Sequence, residues 1–261
     1  MSEHVFEVES GKAIKMPTKG KVCTEDIIVR GVGGSGGSNG VLLDEFWDGV
    51  ISDLTINANT IPAYGCYKAT QKKIIVNNAT AISNYCFQYA QAEEIIINSN
   101  LVKSGMGNCA FQGCSNLMKV SFLDTITLND TTSQTLRVFD ECSVLKEVDI
   151  PNLMKVGELW FKDCVALEKL DIQGRYIGTN AFLRSSISTL VLRYDGISTL
   201  SNINALSGTP IEAGTGYIYV PKALLSDDDA TKDYRRATNW VTFANQFRAI
   251  EDYPEICGGA E

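Results

Sequence analysis

An apolar unit recurs down the middle of the chain at intervals of 20 to 28 residues. A bulky residue opens each unit: Trp47, Tyr67, Phe87, Phe111, Phe139, Phe161, Phe182 and Leu206. A short strand-like triplet closes it, as in Ile74-Ile75-Val76, Ile95-Ile96-Ile97, Val148-Asp149-Ile150 and Leu190-Val191-Leu192. A fixed period of this size is the signature of a solenoid. One unit cannot bury its own apolar face, so stability comes from stacking several, with a parallel sheet on one side and a column of rings inside.

The segment Cys109–Phe122 shows the logic of one unit. A short helical or irregular turn buries Phe111, Cys114 and Leu117, and the chain then reverses into a strand whose alternate residues Val120 and Phe122 face the same core. The residue before each inward pair points outward beside its counterparts. Asp53, Lys73, Glu94, Lys119, Glu147 and Lys169 alternate in sign, which favours neighbouring strands by about 0.2–1 kcal/mol per pair.

Cysteines follow the same register. Cys66 and Cys86 sit one residue before the bulky position, and Cys114, Cys142 and Cys164 sit three residues after it. Thiols that keep a repeat register behave as small buried apolar residues rather than as disulfide partners. Cys109 and Cys114 lack a second pair at zinc-ligand spacing, so no metal is expected.

Residues 1–31 read as a small β module for anchoring or assembly, and 32–40, rich in Gly and Ser, as a linker. The repeats follow over 41–221. After Pro221, Tyr234, Trp240, Phe243, Phe247 and Ile250 fall at helical spacing, so 222–261 is expected to form a capping helix and tail. Its acidic run Asp227-Asp228-Asp229 suits a helix start; the alternative, a calcium loop, lacks the Gly and terminal Glu of an EF-hand.

Several functions are disfavoured. A formal charge of −8 argues against a nucleic-acid partner, and no apolar run is long enough for membrane insertion. The first twenty residues lack the apolar core of a secretory signal. The only histidine is His4, with no partner for nucleophilic catalysis. The glycines at 31–37 are not followed by a phosphate-binding Gly-Lys-Ser/Thr. Pairs such as Glu93-Glu94 suit solvated faces better than a glycosidase. The chain is expected to be no enzyme and to need no cofactor.

The units Cys109–Phe122 and Trp160–Ile172 resemble BspA-type leucine-rich repeats, marked by an "AFxxCxxLxxIxI"-like turn. The ending Tyr217–Pro221, followed by Tyr234 and Ala237–Trp240, is similar to the usual close of such arrays. The likeness covers about residues 45–250. It implies a repeat solenoid of the α/β leucine-rich-repeat type with a non-catalytic surface that binds a protein or a cell-surface glycan. Such proteins occur on bacterial cell surfaces and in gut-bacterial prophages. Met16–Val29 is similar to short β modules of phage tail proteins, which implies a phage tail-associated structural or host-binding protein in the virion. The alternative is an extracellular or cell-surface adhesin.

The outward central row of the triplets supplies candidate binding residues. Ile75 and Ile96 form an apolar spot, either a contact site or a surface covered by the N-terminal segment. Asp149 and Asp171 form an acidic one, for a basic partner, a cation or plain solvent. Tyr217 and Tyr219 suit stacking on a sugar or peptide, or packing on the cap.

Overall fold

The computed structural model describes residues 5–8, 27–31, 53–58, 60–99, 101, 105–122, 135–150 and 152–258. The chain winds as a parallel β-solenoid. Its broad wall holds one run of seven parallel strands: Val5–Val8, Ile27–Gly31, Asp53–Asn57, Lys73–Asn77, Glu94–Asn98, Lys119–Phe122 and Glu147–Asp149. A second run of four follows: Lys169–Ile172, Thr189–Leu192, Tyr217–Val220 and Phe247–Ala249. Residues of the N-terminal segment belong to the first run, because Ile27–Arg30 pair in register with Leu54–Asn57. The Gly/Ser-rich stretch 32–40 lies outside the described residues.

In the fully described broad-wall strands, inward and outward residues alternate as the period-2 pleat requires, with Ile74, Val76, Ile95, Ile97, Val120 and Phe122 all in the core. A second, narrow wall was not foreseen. Two-residue strands at Thr60–Ile61 and Ala81–Ile82 pair in parallel, as do Lys155–Val156, Tyr176–Ile177 and Thr199–Leu200. Each buries one apolar side chain, Ile61, Ile82, Val156, Ile177 or Leu200.

The turn wall closes each coil, and it is not helical. Phe87, Phe111, Phe139, Phe161 and Phe182 donate their N–H groups to the carbonyls of Ala110, Val138, Trp160, Ala181 and Ala205 in the next coil. Residues two before and two after the ring add further rungs, as Tyr85 to Asn108 and Tyr89 to Gln112. Those flanking positions adopt left-handed backbone, φ 59° at both Tyr85 and Tyr89 and 55° and 65° at Arg137 and Glu141. The five phenylalanine rings stack along the axis, with centroids 5.1, 5.0, 5.3 and 5.5 Å apart and interplanar angles of 15° or less. All five are fully buried.

This hydrogen-bond register corrects the coil assigned to Tyr67; Trp47, read as the bulky residue of the unit before it, lies outside the described residues. Cys66 donates to Cys86 as Phe87 does to Ala110, and Cys66 is buried while Tyr67 is exposed. Cys66 is therefore the inward residue, and size alone had favoured its neighbour Tyr67.

The six described cysteine side chains are buried and unbridged. Three form a ladder of their own. The thiols of Cys114, Cys142 and Cys164 donate to the carbonyls of Phe87, Phe111 and Phe139 in the preceding coil, at 3.0, 3.0 and 3.1 Å. Burial raises the pKa of Cys86, Cys109, Cys142 and Cys164, so these are inert protonated thiols rather than nucleophiles. Ser185 holds the equivalent place in the next coil, and its buried hydroxyl finds no partner. A C–O bond is shorter than a C–S bond, so serine falls short of the carbonyl that cysteine reaches.

The C-terminal cap also departs from expectation. In place of one amphipathic helix there are short 3-10 turns at Lys222–Leu224, Ala230–Lys232, Tyr234–Arg236 and Trp240–Gln246, then a last strand, Phe247–Ala249, that pairs with Tyr217–Val220. Asp229 and Asp233 cap single turns by accepting from Thr231 and Arg235 N–H groups. Tyr234, Trp240, Phe243 and Phe247 still close the end of the core. The Tyr234 hydroxyl accepts from the Ser198 N–H, and the Trp240 indole donates to the Ser198 carbonyl. Apolar spacing recorded what the segment buries, while the sheet edge decided its backbone.

Two expectations follow. Phe139→Ala, in the middle of the ring column, should lower the unfolding free energy by about 3–5 kcal/mol, measured by urea denaturation; a change below about 1 kcal/mol would contradict the stack. Cys142→Ser should cost about 1–3 kcal/mol through an unsatisfied buried hydroxyl, and more than Cys142→Ala; the reverse order would contradict the thiol ladder.

Candidate functional site

Function in a coil of this kind rests on what points out of its walls. On the broad wall the outward residues form columns fixed by strand register. Asp53, Lys73, Glu94, Lys119 and Glu147 are successive partners. Within this row Lys73 pairs with Glu94 and Lys119 with Glu147, each at 2.8 Å. The alternation thus runs unbroken over five strands. The sixth residue, Lys169, begins the second run, and its ammonium donates to the carbonyl of Ile256 in the C-terminal tail.

In the next column, Ile75 lies directly opposite Ile96, and both stay half-exposed. Asn57, Asn77 and Asn98 are in register beyond them. The apolar spot is therefore a compact strip between a charged row and an amide row.

The other candidates are placed less openly. Asp149 is exposed, but Asp171 is held by Arg193 in a bidentate pair at 2.6 and 2.7 Å. The two carboxylates do not form an open acidic site, because Arg193 neutralises one of them. Tyr217 is partly exposed, with the Arg248 guanidinium 4.3 Å from its ring centroid. Tyr219 is only 3% exposed. It lies with Val191 under Ile250, Tyr253 and Ile256, its ring edge-on to Tyr253 at 5.5 Å. The C-terminal tail thus covers the outward face of the last strands, and Tyr219 is part of that packing rather than a platform for a ligand.

A second polar constellation, unforeseen from the sequence, lies on the turn wall. Gln88 donates to Gln112 at 2.8 Å, and Gln112 donates to the fully buried Asp140 at 3.1 Å. Asp140 also meets Arg137 at 3.3 Å and Lys162 at 3.0 Å. Oxygens of Asp140, Glu141 and Asp163 approach one another within 4.8 Å, a spacing suited to a cation. The cation there is the Lys162 ammonium, 3.0, 3.6 and 2.7 Å from the three carboxylates. A metal would have to displace it. Arg184 completes the charge balance, and its hydrogen bonds, with those of Lys162, hold the Asp163 carboxyl down to about 2. Gln88, Gln112, Asp140 and Lys162 each follow the ring by one residue, and Glu141, Asp163 and Arg184 by two, so these groups meet across coils, which a reading of each unit in isolation does not reveal.

Four tyrosines stand out beside that ladder: Tyr64, Tyr67, Tyr85 and Tyr89. Tyr64 and Tyr85 stack at 5.0 Å, and Tyr67 meets Tyr64 and Tyr89 edge-on at 5.7 and 5.9 Å. Tyr64 is 49% exposed, and Tyr67 and Tyr89 are each 38% exposed. Recurrence of tyrosine two residues from the inward position, as Tyr64 before Cys66 and Tyr85 and Tyr89 around Phe87, was the available signal.

Among the described residues no helix is long and apolar enough to cross a membrane. No curated protein and no solved structure matches the chain. The family profile of the BspA type leucine-rich repeat region does match, in six copies, over residues 59–189 and 123–212. Together these stretches cover more than half of the chain, and the chain belongs to the family of BspA-type leucine-rich repeat proteins.

Proposed function

We propose that the chain is a recognition solenoid of adhesin type that works by binding a protein or glycan at a cell surface. The observation that carries this is the outward face of the broad wall over strands Lys73–Asn77 and Glu94–Asn98. There Ile75 and Ile96 present a half-exposed apolar strip, bordered by the Lys73–Glu94 pair and by Asn77 and Asn98. An apolar centre with a polar rim is the usual anatomy of a recognition surface. Asp149, exposed two strands further on, would extend the polar rim. The family supports the same role, since such solenoids are typically binding modules at surfaces rather than catalysts. Placement on a phage tail drew on Met16–Val29, and residues 16–26 of that segment lie outside the described residues; the adhesin reading draws on the repeats themselves.

The full chain, immobilised and probed with purified surface glycans and extracellular proteins, should retain at least one of them. Ile75→Thr combined with Ile96→Thr should weaken that binding about tenfold, or about 1.4 kcal/mol, with the melting temperature within a few degrees of the parent. Binding that the double variant keeps in full would contradict this site.

A further inference from the structure

The tyrosine cluster of the turn wall is unexplained by the fold. The scaffold demands left-handed backbone at two positions of every turn. In later coils these hold Cys109, Gly113, Arg137, Glu141, Leu159, Asp163, Asn180 and Arg184. In the first two described coils three of the four are tyrosines: Tyr64, Tyr85 and Tyr89, with φ 60°, 59° and 59°. A bulky ring is a poor occupant of that conformation, whereas Gly or Asn takes it readily. Core burial does not compensate, since Tyr64 and Tyr89 remain 49% and 38% exposed. Strained aromatic residues that stay in water point to a ligand outside the chain.

The patch is built rather than incidental. The Tyr89 ring packs close against Gly113, where any Cβ would collide with it. Tyr64 stacks on Tyr85 at an interplanar angle of 8°. Beside the rings run side-chain amides: Gln88 bonded to Gln112, and Gln91 bonded to Asn116 at 3.1 Å. The exposed ring area is small, on the order of 200–300 Å² for three tyrosines at these exposures, well below the ~800 Å² that a protein partner covers. Lys68 holds its ammonium 5.2 Å from the Tyr67 centroid, which opposes a cationic ligand. Aromatic faces beside neutral amides match the two aspects of a pyranose, its C–H face and its hydroxyl edge.

We infer that Tyr64, Tyr67 and Tyr89, with the exposed Gln91–Asn116 amides, form a carbohydrate-binding site for uncharged sugar rings, on a different wall from the Ile75–Ile96 strip and independent of it.

The test is affinity electrophoresis of the full chain through gels containing a neutral glucan, a neutral mannan or the polyanion hyaluronan. Retardation is expected in at least one neutral gel. Tyr64→Asn and Tyr89→Asn, which suit left-handed backbone, should each reduce that retardation about tenfold while the melting temperature stays level or rises. Val241→Ala, an exposed change in the C-terminal cap, should leave it unchanged. Migration unaffected in both neutral gels, retardation by hyaluronan alone, or retardation that both tyrosine variants keep would overturn the site. So would a marked fall in the melting temperature of the variants, which would mark the rings as structural. Because loss at the Ile75–Ile96 strip is read on a different variant, either site can fail without the other.

Discussion

The structure depends on one arrangement: each coil lays its ring on the ring of the coil before and ties its backbone to the next coil through alternate N–H groups. Neither half suffices alone. A single coil buries little, since both faces of its Phe are covered by the rings of the coils on either side. The left-handed residues flanking each ring are costly by themselves and persist because the rungs they donate are satisfied in the neighbouring coil. Side-chain ladders then add to the same register, from the thiols of Cys114, Cys142 and Cys164 to the amides of Gln88 and Gln112.

What the sequence revealed and what it hid divide along a physical line. The ring column, the inward strand residues and the buried cysteines were legible because burial selects residue type at a fixed position. The alternating charges were legible because strand register sets Lys73 beside Glu94. Backbone features were not legible. Cys66 lost to Tyr67 on size, although the hydrogen-bond register makes Cys66 the inward residue. The narrow wall showed only one apolar residue per coil, too little to announce a strand. The cap's aromatic spacing fitted a helix, yet the open edge at Tyr217–Val220 recruited Phe247–Ala249 as a strand.

The candidate surfaces follow the same division. Ile75 and Ile96 could be placed on the outward face from the pleat alone. That Asp171 is occupied by Arg193 and Tyr219 by the tail depends on contacts from distant parts of the chain. The solenoid thus presents two unlike surfaces at its N-terminal half: an apolar strip on the broad wall, and an aromatic patch on the turn wall. At its C-terminal end, the tail covers the sheet face, and the cap's aromatics close the core.

The central claim is that the coils are held as one stack by the ring column and its inter-coil N–H rungs. Amide hydrogen exchange at Phe87, Phe111, Phe139 and Phe161 tests it most directly. The account predicts slow exchange of all four, with similar opening free energies close to that of global unfolding. Rapid exchange at these positions, or four widely different opening energies in the intact protein, would contradict it.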